Sequence, residues 1–96
     1  MGGYKFQWDS VKNEINKQKH GVGFDEAESV FDDPDYIVEP DEEHSRVEER
    51  FLAIGFSAKA KMLVVCHCFR NDDEIIRIIS ARKADKNEIK LYGGNL

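Results

Sequence analysis

Tyr4, Phe6 and Trp8 alternate with Lys5 and Gln7, the two-residue period of a half-buried strand. The period then changes. Asp9 reads as the N-cap of a helix running to about Lys19, with Val11 and Ile15 as its apolar side. Lys17, Lys19 and His20 fall in or just beyond the last turn, where the helix dipole favours cations, and Gly21 suits a left-handed stop. A second short helix is predicted from Asp25, because Asp25 and Glu28 have capping-box spacing; Ala27, Val30 and Phe31 form its apolar side. Asp33-Pro34 ends it, since a residue before proline is pushed out of the helical region. Residues 36–39 read as a short strand and residues 40–45 as an exposed acidic loop.

Three stronger strands follow, at about residues 50–57, 62–70 and 74–81. The linkers between them, 58–61 and 71–73, are short enough for hairpins, which predicts an antiparallel meander. The last strand carries isoleucine on both faces: Ile75 and Ile79 on one, Ile76 and Ile78 on the other. Asp85 and Glu88 again have capping-box spacing and open a closing helix that Gly93-Gly94 terminates. The order is β-α-α-β-β-β-β-α. The expected class is α+β: an antiparallel sheet flanked by two N-terminal helices and one C-terminal helix, in a single domain over residues 1–96.

Length agrees with one domain. A chain of 96 residues buries roughly two-thirds of the surface it exposes when unfolded, enough for one core without disulfides or metal. No apolar run approaches the ~20 residues of a membrane-spanning helix, and no signal peptide is visible. The Met-Gly-Gly opening has the start of a myristoylation site, but Phe6 stands where Ser or Thr is required. The expectation is a cytoplasmic protein with no membrane partner, whose Cys66 and Cys68 are free thiols. Charge is unevenly strung. Residues 25–49 hold 12 acidic residues and one basic residue, Arg46, for a formal −11, and the rest of the chain is +6 against the total of −5. That distribution suits either a solvated surface or a basic site beside an acidic docking patch.

Few positions can carry chemistry. Cys66-His67-Cys68 suggests zinc, but strand alternation sends the cysteines to one face and His67 to the other, and four convergent ligands are lacking. No metal or cofactor is therefore expected; the cysteines read as small core residues and His67 as either a structural or a titrating group. Arg77 sits between Ile76 and Ile78, where a guanidinium needs a partner. It can be neutralised internally, for example by Glu49, or serve as a phosphate clamp with Arg50 and Arg82.

The residues also carry a resemblance. Phe6-x-Trp8-Asp9-x3-Asn13, Lys19-His20-Gly21-Val22-x-Phe24 and Ala27-x2-Val30-Phe31-x-Asp33 occur in that order. His44-Ser45-x3-Glu49-Arg50-Phe51 and Leu63-Val64-Val65-x-His67 follow, and then the run from Ile76 through Ile-Ser-Ala-Arg-Lys to Ala84. Together they resemble the BrnT family of bacterial toxins over nearly the whole chain. Cys68 and Phe69 depart from it, standing where polar residues are expected.

The resemblance implies a RelE-like α+β fold and an RNA-cleaving toxin of a type II toxin–antitoxin pair that halts translation. It also implies a BrnA-like ribbon-helix-helix antitoxin, two toxins per antitoxin dimer, and contact with operator DNA only through that partner. Metal-free RNA cleavage needs proton transfer at the 2′- and 5′-oxygens and charge neutralisation at phosphorus. Arg50, Arg77 and Arg82 are the candidates for neutralisation and His67 for proton transfer. Glu49 is the candidate to support an arginine, and Lys19, His20 and Lys83 to hold neighbouring phosphates. Arg50, Arg77 and His67 are expected in one cleft. The other reading is a non-enzymatic interaction domain or co-repressor whose arginines are internally paired; three or more basic side chains without carboxylate partners on one face would separate the two.

Overall fold

The structure is a computed structural model that describes residues 4–94; the Met-Gly-Gly opening lies outside the described residues. Its elements are β1 (Lys5–Gln7), α1 (Ser10–His20), α2 (Phe24–Glu28), a 3-10 turn (Ser29–Asp32), β2 (Ile37–Pro40), a second 3-10 turn (Glu42–His44), β3 (Phe51–Phe56), β4 (Met62–Arg70), β5 (Ile75–Lys83) and α3 (Lys86–Gly93). The five strands form one sheet in the order β1-β5-β4-β3-β2.

From β2 to β5 the sheet is the expected antiparallel meander, but β1 joins the far edge parallel to β5, so the sheet is mixed. Hydrophobic alternation reports which face a side chain takes and is silent about strand direction, which is why a wholly antiparallel sheet was expected.

Local signals at the helix ends divide. The Asp9 carboxylate accepts from the backbone N–H of Val11 at 2.8 Å and of Lys12 at 3.3 Å, and Gly21 takes φ 70° as the left-handed stop. Asp85 and Glu88 close a full capping box. The box expected at Asp25 and Glu28 is absent: α2 starts one residue earlier, behind Gly23, with no side-chain cap. The Phe24 N–H goes instead to Asn13 Oδ1 of α1 at 2.8 Å, a partner outside the local window.

The expected apolar side of α1 is also corrected. Val11 is 65% and Ile15 49% exposed, and the helix docks through Asn16. The Asn16 side-chain N–H donates to the carbonyls of Val22 (2.9 Å) and Ala81 (2.8 Å), and its Oδ1 accepts the Ala81 N–H (3.1 Å). β1 pairs with β5 only as far as Arg77. Beyond that point the Asn16 amide binds both backbone groups of Ala81, as a neighbouring strand would.

One face of the sheet carries the main core. Phe24, Ala27 and Val30 pack there against Ala53, Val65, Ile76 and Ile78, with Phe6, Trp8 and Phe31 around them. Gly55 is required on this face, because an added Cβ would sit 2.8 Å from Tyr36 Cβ. The opposite face is covered in part by α3, whose Tyr92 ring packs edge-on against Phe56 at 5.4 Å.

A bulge decides what the second face displays. Cys66 pairs with Ser80 and His67 with Ile78, which leaves Ile79 without a partner on β4. Alternation therefore restarts inside β5. Arg77 shares a face with Cys68, and Arg82 shares that same face with Val64, although an odd spacing would otherwise place the two arginines on opposite sides.

Candidate active site

On this second face the sheet floors a cleft of about 300 Å³. Leu52, Val64, Cys66, Ile79 and Ser80 line its base, Arg50 and Arg82 stand at its sides, and the second 3-10 turn supplies Asp41, Glu43 and His44. Two guanidinium groups thus face two carboxylates and one imidazole.

The turn is tied to the start of β3. The Asp41 N–H donates to the Arg50 carbonyl at 2.9 Å. The Ser45 hydroxyl donates to the Asp41 carbonyl at 2.6 Å and accepts the Arg50 N–H at 3.0 Å. Asp41, expected in an exposed loop, is 8% exposed. Its carboxylate lies 3.0 and 3.1 Å from His44 Nδ1 and 3.5 Å from the Cys66 thiol. Burial, and then the adjacent Asp41, push the Cys66 thiol up to about 11, so it stays protonated at neutral pH.

The arginines differ in what holds them. Arg50 Nε is buried and carries no hydrogen bond, and its terminal nitrogen is 3.7 Å from Glu48. Arg82 is gripped in a two-point pair by Glu88, at 2.7 Å for each contact. That guanidinium holds the Glu88 carboxyl below the ordinary carboxylate range. Arg77 lies on the same face beside the cleft; it does not line it, and it donates to Gln7 Oε1 at 2.8 Å.

Glu48 takes the place expected for Glu49. It pairs with Arg70 at 2.7 Å as well as with Arg50, and the Arg70 hydrogen bond holds its carboxyl below the usual range. Glu49 is exposed and, among the described residues, joins no ion pair. Of the three candidate arginines only Arg77 is free of a carboxylate partner among the described residues.

His67 lies on the helix-covered face, opposite Arg77, because it pairs with Phe51 and Ile78 while Arg77 pairs with Cys68. It is 1% exposed. Its ring centroid is 5.0 Å from that of Phe31 and 5.6 Å from that of Phe69, and Nδ1 lies 3.1 Å from the Val65 carbonyl. Burial pushes its pKa below the ordinary 6.5. The expectation of one cleft holding Arg50, Arg77 and His67 is thereby overturned: a neutral imidazole packed among aromatic rings cannot reach a substrate on the other side of the sheet. Lys19 and His20 sit exposed at the end of α1, and Lys83 pairs with Leu63 on the helix side, so none of these three lines the cleft.

His44 and Asp41 were missed as site residues. The signal available was their three-residue spacing, which a tight turn brings into contact.

Comparisons with known proteins agree with the architecture. The family model described as "Ribonuclease toxin, BrnT, of type II toxin-antitoxin system" matches residues 8–88. No curated protein sequence matches significantly. A similar solved structure is the 1.1 Å crystal structure of the Brucella abortus ribonuclease toxin, BrnT. It is 26% identical, superposes with a TM-score of 0.66, and the match covers 86% of this chain and 99% of that one. With the family model spanning most of the chain and the five-stranded fold shared, this chain belongs to the BrnT family of ribonuclease toxins of type II toxin–antitoxin systems.

Proposed function

We propose that this chain is an active endoribonuclease that works in the cytoplasm without metal and holds the scissile phosphate of RNA in the cleft between Arg50 and Arg82. The observation that carries this is the buried, unpartnered Nε of Arg50, an N–H donor held beside an open cleft. A phosphate oxygen would satisfy it and gain a charge-assisted bond. Arg82, fixed by Glu88 and half exposed, stands across the cleft as the second donor, with its position set in advance. Arg77 contributes from beside the cleft.

The partner in this reading is a basic, BrnA-like ribbon-helix-helix antitoxin, two toxins per antitoxin dimer, through which the pair reaches operator DNA. The acidic turn forms one wall of the cleft, so a cationic protein docked on the exposed Glu42 and Glu43 would also close the substrate's way in. The pairing of Arg82 with Glu88 and of Arg50 with Glu48 favours the second reading, a non-catalytic member of the family that acts only as a partner.

Cleavage of an end-labelled RNA in EDTA decides between them. The wild type should cut, and Arg50→Ala and Arg82→Ala should each lose on the order of a hundredfold or more. Cleavage that requires added magnesium, or variants that cut as fast as the wild type, would overturn the proposal.

A further inference from the structure

Three histidines are available to a metal-free ribonuclease: His20, His44 and His67. His67 is sealed in the aromatic core, and His20 ends α1 away from the cleft. His44 alone lines it, with a side chain 59% exposed. We propose that His44, oriented by Asp41, is the general base of RNA cleavage, taking the proton of the attacking 2′-hydroxyl. This rests on the ribonuclease reading above.

The geometry specifies which nitrogen acts. Nδ1 lies 3.0 and 3.1 Å from the two Asp41 oxygens, so Nδ1 carries the proton and donates it to the carboxylate. Nε2 is then left with a free lone pair, on a side chain that is 59% exposed. A buried carboxylate that holds a histidine in this tautomer also stabilises the imidazolium formed when Nε2 takes a proton. The reach to the phosphate is set by covalent and hydrogen-bonded links: Asp41 and Ser45 flank His44 in the chain, and both are bonded to the backbone of Arg50. Base and phosphate donor are therefore placed by one turn.

The groups around this imidazole are Asp41 and Glu43 from the turn, Arg50 before β3, the neutral Cys66 thiol of β4 and Arg82 of β5 in the cleft, and Arg46 and Glu48 in the hollow beside it. Three carboxylates balance three guanidiniums around it. The step closes in atoms and charge. The 2′-oxygen bonds to phosphorus, the bond from phosphorus to the 5′-oxygen breaks, and the products are a 2′,3′-cyclic phosphate and a 5′-hydroxyl. Nε2 receives the 2′ proton, the leaving 5′-oxygen takes a proton from water at the open mouth, and the imidazolium returns its proton to solvent.

The test uses the purified chain and a short mixed-sequence RNA in EDTA, with a 2′-O-methyl copy as control. The wild type should yield cyclic phosphate ends from the RNA and leave the methylated copy intact. His44→Ala and His44→Gln, at an exposed position, should fold and lose 10²–10⁴-fold in kcat with KM little changed. The acidic limb of the rate against pH should vanish in both, and added imidazole should restore part of the His44→Ala rate. Asp41→Asn, which alters the orienting partner, should lose less than either. A His44→Ala enzyme with wild-type kcat, or one impaired only in KM, overturns this assignment while the ribonuclease reading stands. No cleavage by the wild type overturns both.

Discussion

The two faces of the sheet put neighbouring residues to opposite uses. On the helix-covered face His67 sits among Phe31, Phe51 and Phe69, dry and neutral. On the other face Cys66 floors a cleft walled by Arg50, Arg82 and His44. The residue types overlap, since each face holds a histidine with a hydrogen-bonding partner. Environment separates them: a backbone carbonyl and three rings against a carboxylate and two guanidiniums. A histidine's usefulness is thus decided by the far side of the strand as much as by its own identity.

The harshest way to break the comparison is to fill the bulge, by inserting one alanine between Cys66 and His67 as a partner for Ile79. Alternation would then run unbroken, and the odd spacing of Arg77 and Arg82 would put one of the two on the helix-covered face. Burying that charge should cost about 3–5 kcal/mol and lower the melting temperature by roughly 15–30 °C. An insertion variant that melts with the wild type would show that the bulge does not set the faces.

Next comes a paired substitution, read by RNA cleavage. Arg50→Ala should lose a hundredfold or more, whereas His67→Phe, on the face away from the cleft, should stay within about twofold. The reverse ranking would return His67 to the mechanism.

Acid titration sharpens the contrast further. Because burial lowers the pKa of His67 in the folded state, the unfolded chain binds the extra proton first. His67 thus favours the fold fully above about pH 6.5, the unfolded value, and loses that contribution as pH falls towards the lower folded value. Thermal melts from pH 8 to 5 should show a decline that is shallower in His67→Phe. Identical slopes would mean that His67 binds its proton equally in both states, as it would if it reached solvent.

The smallest effect is expected for Glu88→Gln. It removes the charge that grips Arg82 and weakens the bond from the Asp85 N–H, with a cost of about 1 kcal/mol. An unchanged melting curve would show that the pair is solvated and idle.

What could be read from the sequence was local. Asp9, Gly21, the Asp85–Glu88 box and both hairpins follow from neighbours within four residues, and each stands in the structure. The class and the meander followed from those. Arg50 and Arg82 could be singled out because a charged residue at the end of an apolar strand is conspicuous. The errors came from long-range packing. Alternation separates two faces but does not say which one the helices cover, so His67 was assigned to the wrong one. Arg82 does share the side of Arg77, as the expected convergence of the arginines needs, but only through a bulge that no local signal marks. Glu48 replaced Glu49 through a shift of one residue at a strand entrance. Asn16 carried no local signal at all, because its partners in β5 are 65 positions away.

That last distance bears on how the chain is made. β1 completes its pairing, and Asn16 its hydrogen bonds, only with β5, so the first elements synthesised wait for nearly the last. A nascent chain that has not yet extended past Lys83 lacks the strand that anchors its own beginning, and it lacks Arg82 as well. Contacts of such sequence separation form late and slowly. A ribosome that stalls midway therefore releases a fragment with open strand edges and half a cleft, material for proteases rather than a smaller version of the protein.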